Sequence, residues 1–147
     1  MTSTWILVAD AARARVFESD RPGGAWTVVS CFSNPDGHAP GRHATTDRAP
    51  RVAESVGTTR HAIEPHTSLR DKSTERFART LCDELERGCS ERRCERLVLV
   101  APPRFLGALH GVLDPALRER VSGELHNDFT TLPEPDVRER VLHELRV

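Results

Sequence analysis

A chain of 147 residues, 37% hydrophobic and 29% charged, is about one domain's worth and long enough for a real core. A net charge of −1 argues against a protein that grips nucleic acid by bulk electrostatics. No run approaches the roughly 18 apolar residues of a membrane helix, and Met1-Thr2-Ser3-Thr4-Trp5 lacks the basic region and cleavage site of a signal peptide, so a cytoplasmic location without membrane contact is expected.

Residues 5–9 read as a first strand and 14–18 as a second, with the short 10–13 link making a hairpin. Pro22-Gly23-Gly24 is a turn, and 26–32 alternates like a third strand, which completes an antiparallel meander. From 33 to 66 the hydrophobic period disappears among Pro35, Gly37, Pro40, Gly41, Pro50 and Gly57. A loop that long inside a compact domain is functional or disordered. Ser68-Leu69-Arg70-Asp71 then fits a capping box, and Phe77, Ala78, Leu81, Cys82 and Leu85 form the apolar stripe of a helix ending near Gly88.

Residues 97–101, Leu-Val-Leu-Val-Ala, have no polar face and read as a strand covered on both sides. Pro102 and Pro103 end it and open a helix, in which Phe105, Leu106, Leu109, Val112 and Leu113 recur at helical spacing. Asp114-Pro115 sets an N-cap and a first helical position for a further helical piece. A weak fifth strand follows at 121–126. Residues 135–145 close the chain as a helix with Val137, Val141, Leu142 and Leu145 on one face. The order β-β-β-α-β-α-β-α is that of the ribonuclease H-like fold: a single α/β domain over 1–147, with a mixed sheet of about five strands and flanking helices.

Residues with catalytic promise are few. Asp10 lies at the end of the first strand, where a ribonuclease H-type nuclease would place a magnesium ligand. The fourth strand, however, ends in Ala101-Pro102-Pro103 with no second acid. His38, His43, His61 and His66 accompany Asp36, Asp47, Glu54 and Glu64 in the long segment. A solvated polar loop is the preferred reading there, with metal binding the alternative, because no tight histidine pair fixes a geometry. Cys31, Cys82, Cys89 and Cys94 lack CxxC spacing and suit reduced thiols, with Cys82 and Cys89 seven apart on one helix face and packed as small apolar residues. No metal or cofactor is expected.

Twenty of the 21 basic residues are arginine, Lys72 being the one lysine, and they are spread along the chain as a GC-rich bacterial genome would spread them. Arg48, Arg51 and Arg60 sit in the long segment, where they can hold phosphate or pair with the acids that balance them. Arg104 stands at the start of the helix after the fourth strand, a place where open α/β sheets collect anions, although an ion pair with a neighbouring acid is the simpler reading.

The string from Val8-Ala9-Asp10 through Arg13-Ala14-Arg15-Val16-Phe17 resembles the opening hairpin of the bacterial host-attachment protein family, described as required for attachment to host cells. Asp47-Arg48-Ala49-Pro50-Arg51 with Arg60-His61, Phe77-Ala78, residues 97–107 and the 124–130 string Glu-Leu-His-Asn-Asp-Phe-Thr resemble its further motifs. The resemblance covers nearly the whole chain. Where the family pattern reads Asp-Arg-Pro-Gly-Arg this chain has Ala49-Pro50, and Asn127-Asp128-Phe129 replaces Lys-Asp-Leu.

That family is similar in turn to the middle domain of archaeal and eukaryotic peptide-chain release factors, whose ribonuclease H-like core carries a Gly-Gly-Gln tip. Here Gly23-Gly24 is followed by Ala25 and the chain contains no glutamine, which excludes release by that mechanism. The resemblance implies a non-catalytic scaffold that sits against tRNA or the ribosome. Arg13, Arg15, Arg48, Arg51, Arg60, His61 and Arg104 are its candidate phosphate contacts. Two alternatives stand beside it. One is a hydrolase of peptidyl-tRNA or nucleic acid using Asp10 and His61. The other is a protein-interaction module that orders segment 33–66 on a partner.

Overall fold

Trp5, Leu7 and Ala9 alternate with Ile6 and Val8, and all five are buried, so the strand they form needs cover on both faces. The computed structural model describes residues 3–21, 23–36 and 56–145, with the backbone alone over 56–68. The elements are β1 (Thr4–Ala9), β2 (Arg13–Ser19), β3 (Trp26–Ser33), α1 (Val56–Ser90), β4 (Arg96–Val100), α2 (Pro103–Val112), α3 (Pro115–Arg120), β5 (Val121–Leu125) and α4 (Glu134–Leu145).

The strands form one five-stranded sheet in the order β3-β2-β1-β4-β5. β1 pairs antiparallel with β2 and parallel with β4; β2–β3 is antiparallel and β4–β5 parallel. Only β2 therefore runs against the rest. This is the mixed α/β sheet that the sequence predicts, and its order fits a ribonuclease H-like arrangement.

Each strand face has its own core. Trp5, Leu7, Leu97 and Leu99 pack with Phe77, Leu81 and Leu85 of α1 and with Phe105 and Leu109 of α2. On the opposite face Ile6, Val8, Val98 and Val100 meet Phe17, Trp26, Phe129 and the α4 pair Val137 and Val141. The period-2 alternation of β1 and β4 thus sorts α1, α2 and α3 to one side and α4 to the other. Gly88 marks a close approach of α1 to the sheet: a Cβ there would lie within 2.7 Å of three ring atoms of Trp5.

α1 begins at Val56, which corrects the helix start expected at Ser68 and the last part, 56–66, of the loop expected over 33–66, while residues 37–55 of that loop lie outside the described residues. Residues 56–68 have no apolar stripe and include Gly57 and Pro65, so the hydrophobic period that reveals a packed helix is missing from them. The helix ends as a Schellman motif, with Arg93 N–H on the Gly88 carbonyl (2.9 Å), Arg92 N–H on that of Cys89 (3.0 Å), and Arg92 at φ 60° in the place glycine usually takes. The Asp114 cap is present as expected, accepting the Leu117 N–H at 2.8 Å.

Candidate functional site

Parallel β1 and β4 are neighbours, yet the chain leaves their carboxyl ends in opposite directions, from β1 into the β2 hairpin and from β4 into α2. Such a switch point opens a crevice outside the strand ends, and ligands of open α/β sheets collect there. Here a cavity of about 810 Å³ occupies that place, within the size range of small-molecule sites. Its walls are the turn residues Asp10, Ala11 and Ala12, then Asp36 after β3, then Arg70, Asp71, Thr74 and Glu75 of α1. Pro102, Arg104, Phe105, Ala108, Gly111 and Val112 complete it from the start and one face of α2.

Four carboxylates and two guanidinium groups line the cavity, but most of the acids are engaged. Asp10 Oδ1 accepts the backbone N–H groups of Ala12 and Arg13, each at 2.8 Å, and its Oδ2 lies 3.1 Å from Thr130 Oγ1. Glu75 pairs with Arg79 at 2.6 Å, and Asp36 with Arg76 at 3.8 Å. Among the described residues Arg70, Asp71 and Arg104 have no hydrogen-bond or ion-pair partner. Among the described residues the uncommitted charge of the lining is two guanidinium groups and one carboxylate.

Asp10 and Arg15 fasten the turn between β5 and α4 to the hairpin. The Arg15 Nη2 group donates to the carbonyls of Phe129, Thr130 and Leu132 at 3.1, 3.2 and 2.7 Å, and its guanidinium lies 5.5 Å from the Phe17 ring centroid. Thr130 Oγ1, facing Asp10, is also 2.6 Å from Asp128 Oδ1, which accepts the Thr130 N–H at 3.0 Å. One hydroxyl proton serves one of the two carboxylates at a time. Thr130 is the partner of Asp10 that sequence reasoning missed, with Asp128 competing for the same hydroxyl, since 120 positions separate Thr130 from Asp10. The local signal was the Asp-Phe-Thr string, which favours a side-chain-bonded turn.

The other candidates divide by place. Arg13 opens β2 and is exposed, while Arg104 lies exposed on the first turn of α2 in the cavity wall. Arg60 and His61 fall on α1, N-terminal to the cavity, with side chains outside the described residues. Arg48 and Arg51, like His38 and His43, lie outside the described residues altogether. At the end of α2, His110 Nε2 meets Glu124 Oε2 at 2.7 Å, an ion pair when the imidazole is protonated. Among the described residues no group of three His, Cys, Asp or Glu side chains is arranged to hold a metal.

Two cysteines are plainly packing residues. Burial pushes the Cys82 thiol up to about 12, helped by the Asp83 carboxylate, and burial likewise raises that of Cys94 beside Cys89. Between α1 and the sheet, Glu84 accepts from Arg87 and from the β3 residue Ser30 at 2.8 Å. The Arg87 hydrogen bond holds its carboxyl below the usual range.

Fold and site together define a small α/β domain: a mixed sheet, helices on both faces, and an amphipathic cavity at the carboxyl edge. The chain matches the family model "Protein required for attachment to host cells" over residues 5–141, and it belongs to that family. A solved structure described only as "Archaeal protein" is similar, with a TM-score of 0.52 and 11% sequence identity. The likeness covers 95% of this chain and 33% of that one, so this chain spans about a third of the archaeal chain's length and the two share a fold. The search of curated proteins returned no match. No described helix is long and apolar enough to cross a membrane.

Proposed function

We propose that this member of the host-attachment family is a non-catalytic RNA-binding domain, which engages RNA or the ribosome with the carboxyl edge of its sheet. It acts in the cytoplasm, and its effect on attachment is indirect, through gene expression or translation. The observation that carries the reading is the switch-point cavity, where Arg70 and Arg104 are the uncommitted cations.

Chain connectivity supports it. The chain leaves the cavity wall at Asp36 for the segment that bears Arg48 and Arg51. It returns along α1, where Arg60 and His61 precede Arg70. Residues 56–69 add fourteen helical residues before the cavity wall, a rise of about 21 Å at 1.5 Å each. The release-factor likeness enters as a scaffold without its tip, since Gly23-Gly24 precedes Ala25. Hydrolysis by Asp10 is the weaker reading: its two oxygens already face two N–H groups and a hydroxyl, which gives it the work of holding the hairpin and the Thr130 turn.

The test is fluorescence anisotropy with a labelled single-stranded RNA across a salt titration. Arg48→Ala/Arg51→Ala should weaken binding and flatten the salt slope by roughly 1.4, at about 0.7 for each lost phosphate contact. Wild-type protein that leaves the RNA unbound at low salt, or a variant with an unchanged slope, rejects the reading.

A further inference from the structure

The cavity has more built into it than phosphate recognition needs. Salt-dependent contact with a nucleic-acid backbone requires only exposed cations on a surface. Here the cations share the lining with Asp71, a carboxylate that has no partner among the described residues, and with an apolar part along Pro102, Ala108 and Val112. Three of the four acids are already engaged, so a simple cation is a poor occupant. A bare phosphate would leave most of about 810 Å³ unfilled.

We propose that this cavity seats one ribonucleotide unit, with Arg104 and Arg70 at the phosphate, Asp71 at a ribose hydroxyl, and the base against the apolar part of the wall. Each part of the lining has a matching chemistry. Guanidinium groups bind phosphate oxygens through paired N–H bonds, and a carboxylate near a switch-point crevice accepts a ribose hydroxyl. A flat base covers apolar surface without asking for a partner of its own. The inference rests on the RNA reading and deepens it, because the same unit can arrive as a free nucleotide or as one unstacked residue of an RNA strand.

Calorimetric titrations of the full chain with AMP, 2′-deoxy-AMP, adenosine and inorganic phosphate separate these contributions. AMP should bind about tenfold or more tighter than adenosine or phosphate, Arg104→Ala should cost about tenfold, and Asp71→Asn should narrow the ribose-over-deoxyribose preference. Arg104 and Asp71 are exposed, and thermal melts of the variants verify that the fold is kept. If AMP is not bound but Arg104→Ala and Asp71→Asn both weaken a short RNA, the occupant is a nucleotide within a strand and the site assignment stands. RNA bound equally by wild type and both variants overturns the cavity assignment and leaves only RNA binding elsewhere on the chain. Failure of every nucleotide and RNA to bind overturns both.

Discussion

Arg15 was a candidate phosphate contact by sequence, and the structure gives it a different duty, so its replacement separates the two. Arg15→Met keeps most of the apolar stem and removes the guanidinium. The Nη2 group faces three carbonyls but has two protons, so about two hydrogen bonds are made at a time. Bonds to a charged group contribute about 1.5–3 kcal/mol each, and Arg15 is half-buried, so the lower end applies and the loss is about 3 kcal/mol. Phe129 and Thr130 are buried, so their carbonyls are poorly placed to take water in exchange. At about 2–4 °C per kcal/mol for a domain of this size, Tm should fall by about 6–12 °C. Circular-dichroism melts at fixed salt measure it, with Arg13→Met at the exposed neighbouring site expected within about 0.5 kcal/mol of wild type. A Tm within a degree of wild type, together with weakened RNA binding, would refute the clasp and return Arg15 to the list of contacts.

Gly88→Ala tests how closely α1 lies on the sheet: alanine favours a helix by about 1 kcal/mol, yet overpacking against Trp5 costs about 1–3 kcal/mol. Tm should therefore fall; a rise would mean that the ring does not fill that space. Glu84 links acid stability to the α1–β3 contact. Its folded-state carboxyl is depressed, so its contribution is complete above the ordinary glutamate range and is lost as pH falls through the folded value. Between about pH 5 and pH 3, Glu84→Gln should lose less Tm than wild type; parallel curves would contradict this. At pH 8 a thiol reagent should label exposed Cys31 on the folded protein and reach Cys82 and Cys94 only after unfolding, as read by mass spectrometry.

The sheet was legible because its central strands obey one simple rule. Beyond their first residues β1 and β4 are buried on both faces and apolar, and Pro102-Pro103 and Asp114-Pro115 punctuate the chain at the true helix starts. The first third of α1 was not legible, since its polar residues give no stripe and Pro65 reads as a breaker. Arg104 could be placed at the carboxyl edge from its position after the fourth strand. The partners of Asp10 could not, because a hydrogen bond to Thr130 leaves no local spacing pattern. The same holds for the Arg15 clasp: an arginine bound to carbonyls looks, in sequence, like an arginine waiting for phosphate. Arg70 and Asp71 read as part of a cap and lie instead in the cavity wall.

Sedimentation of tagged protein from a bacterial lysate through a sucrose gradient, at low and at moderate salt, tests RNA engagement most directly. The carboxyl-edge interface predicts migration with ribosomal subunits or other RNA-containing fractions, release at moderate salt, and loss of co-migration in Arg70→Ala/Arg104→Ala. Protein that stays at the top of the gradient at low salt, or a variant that co-migrates as well as wild type, would contradict it.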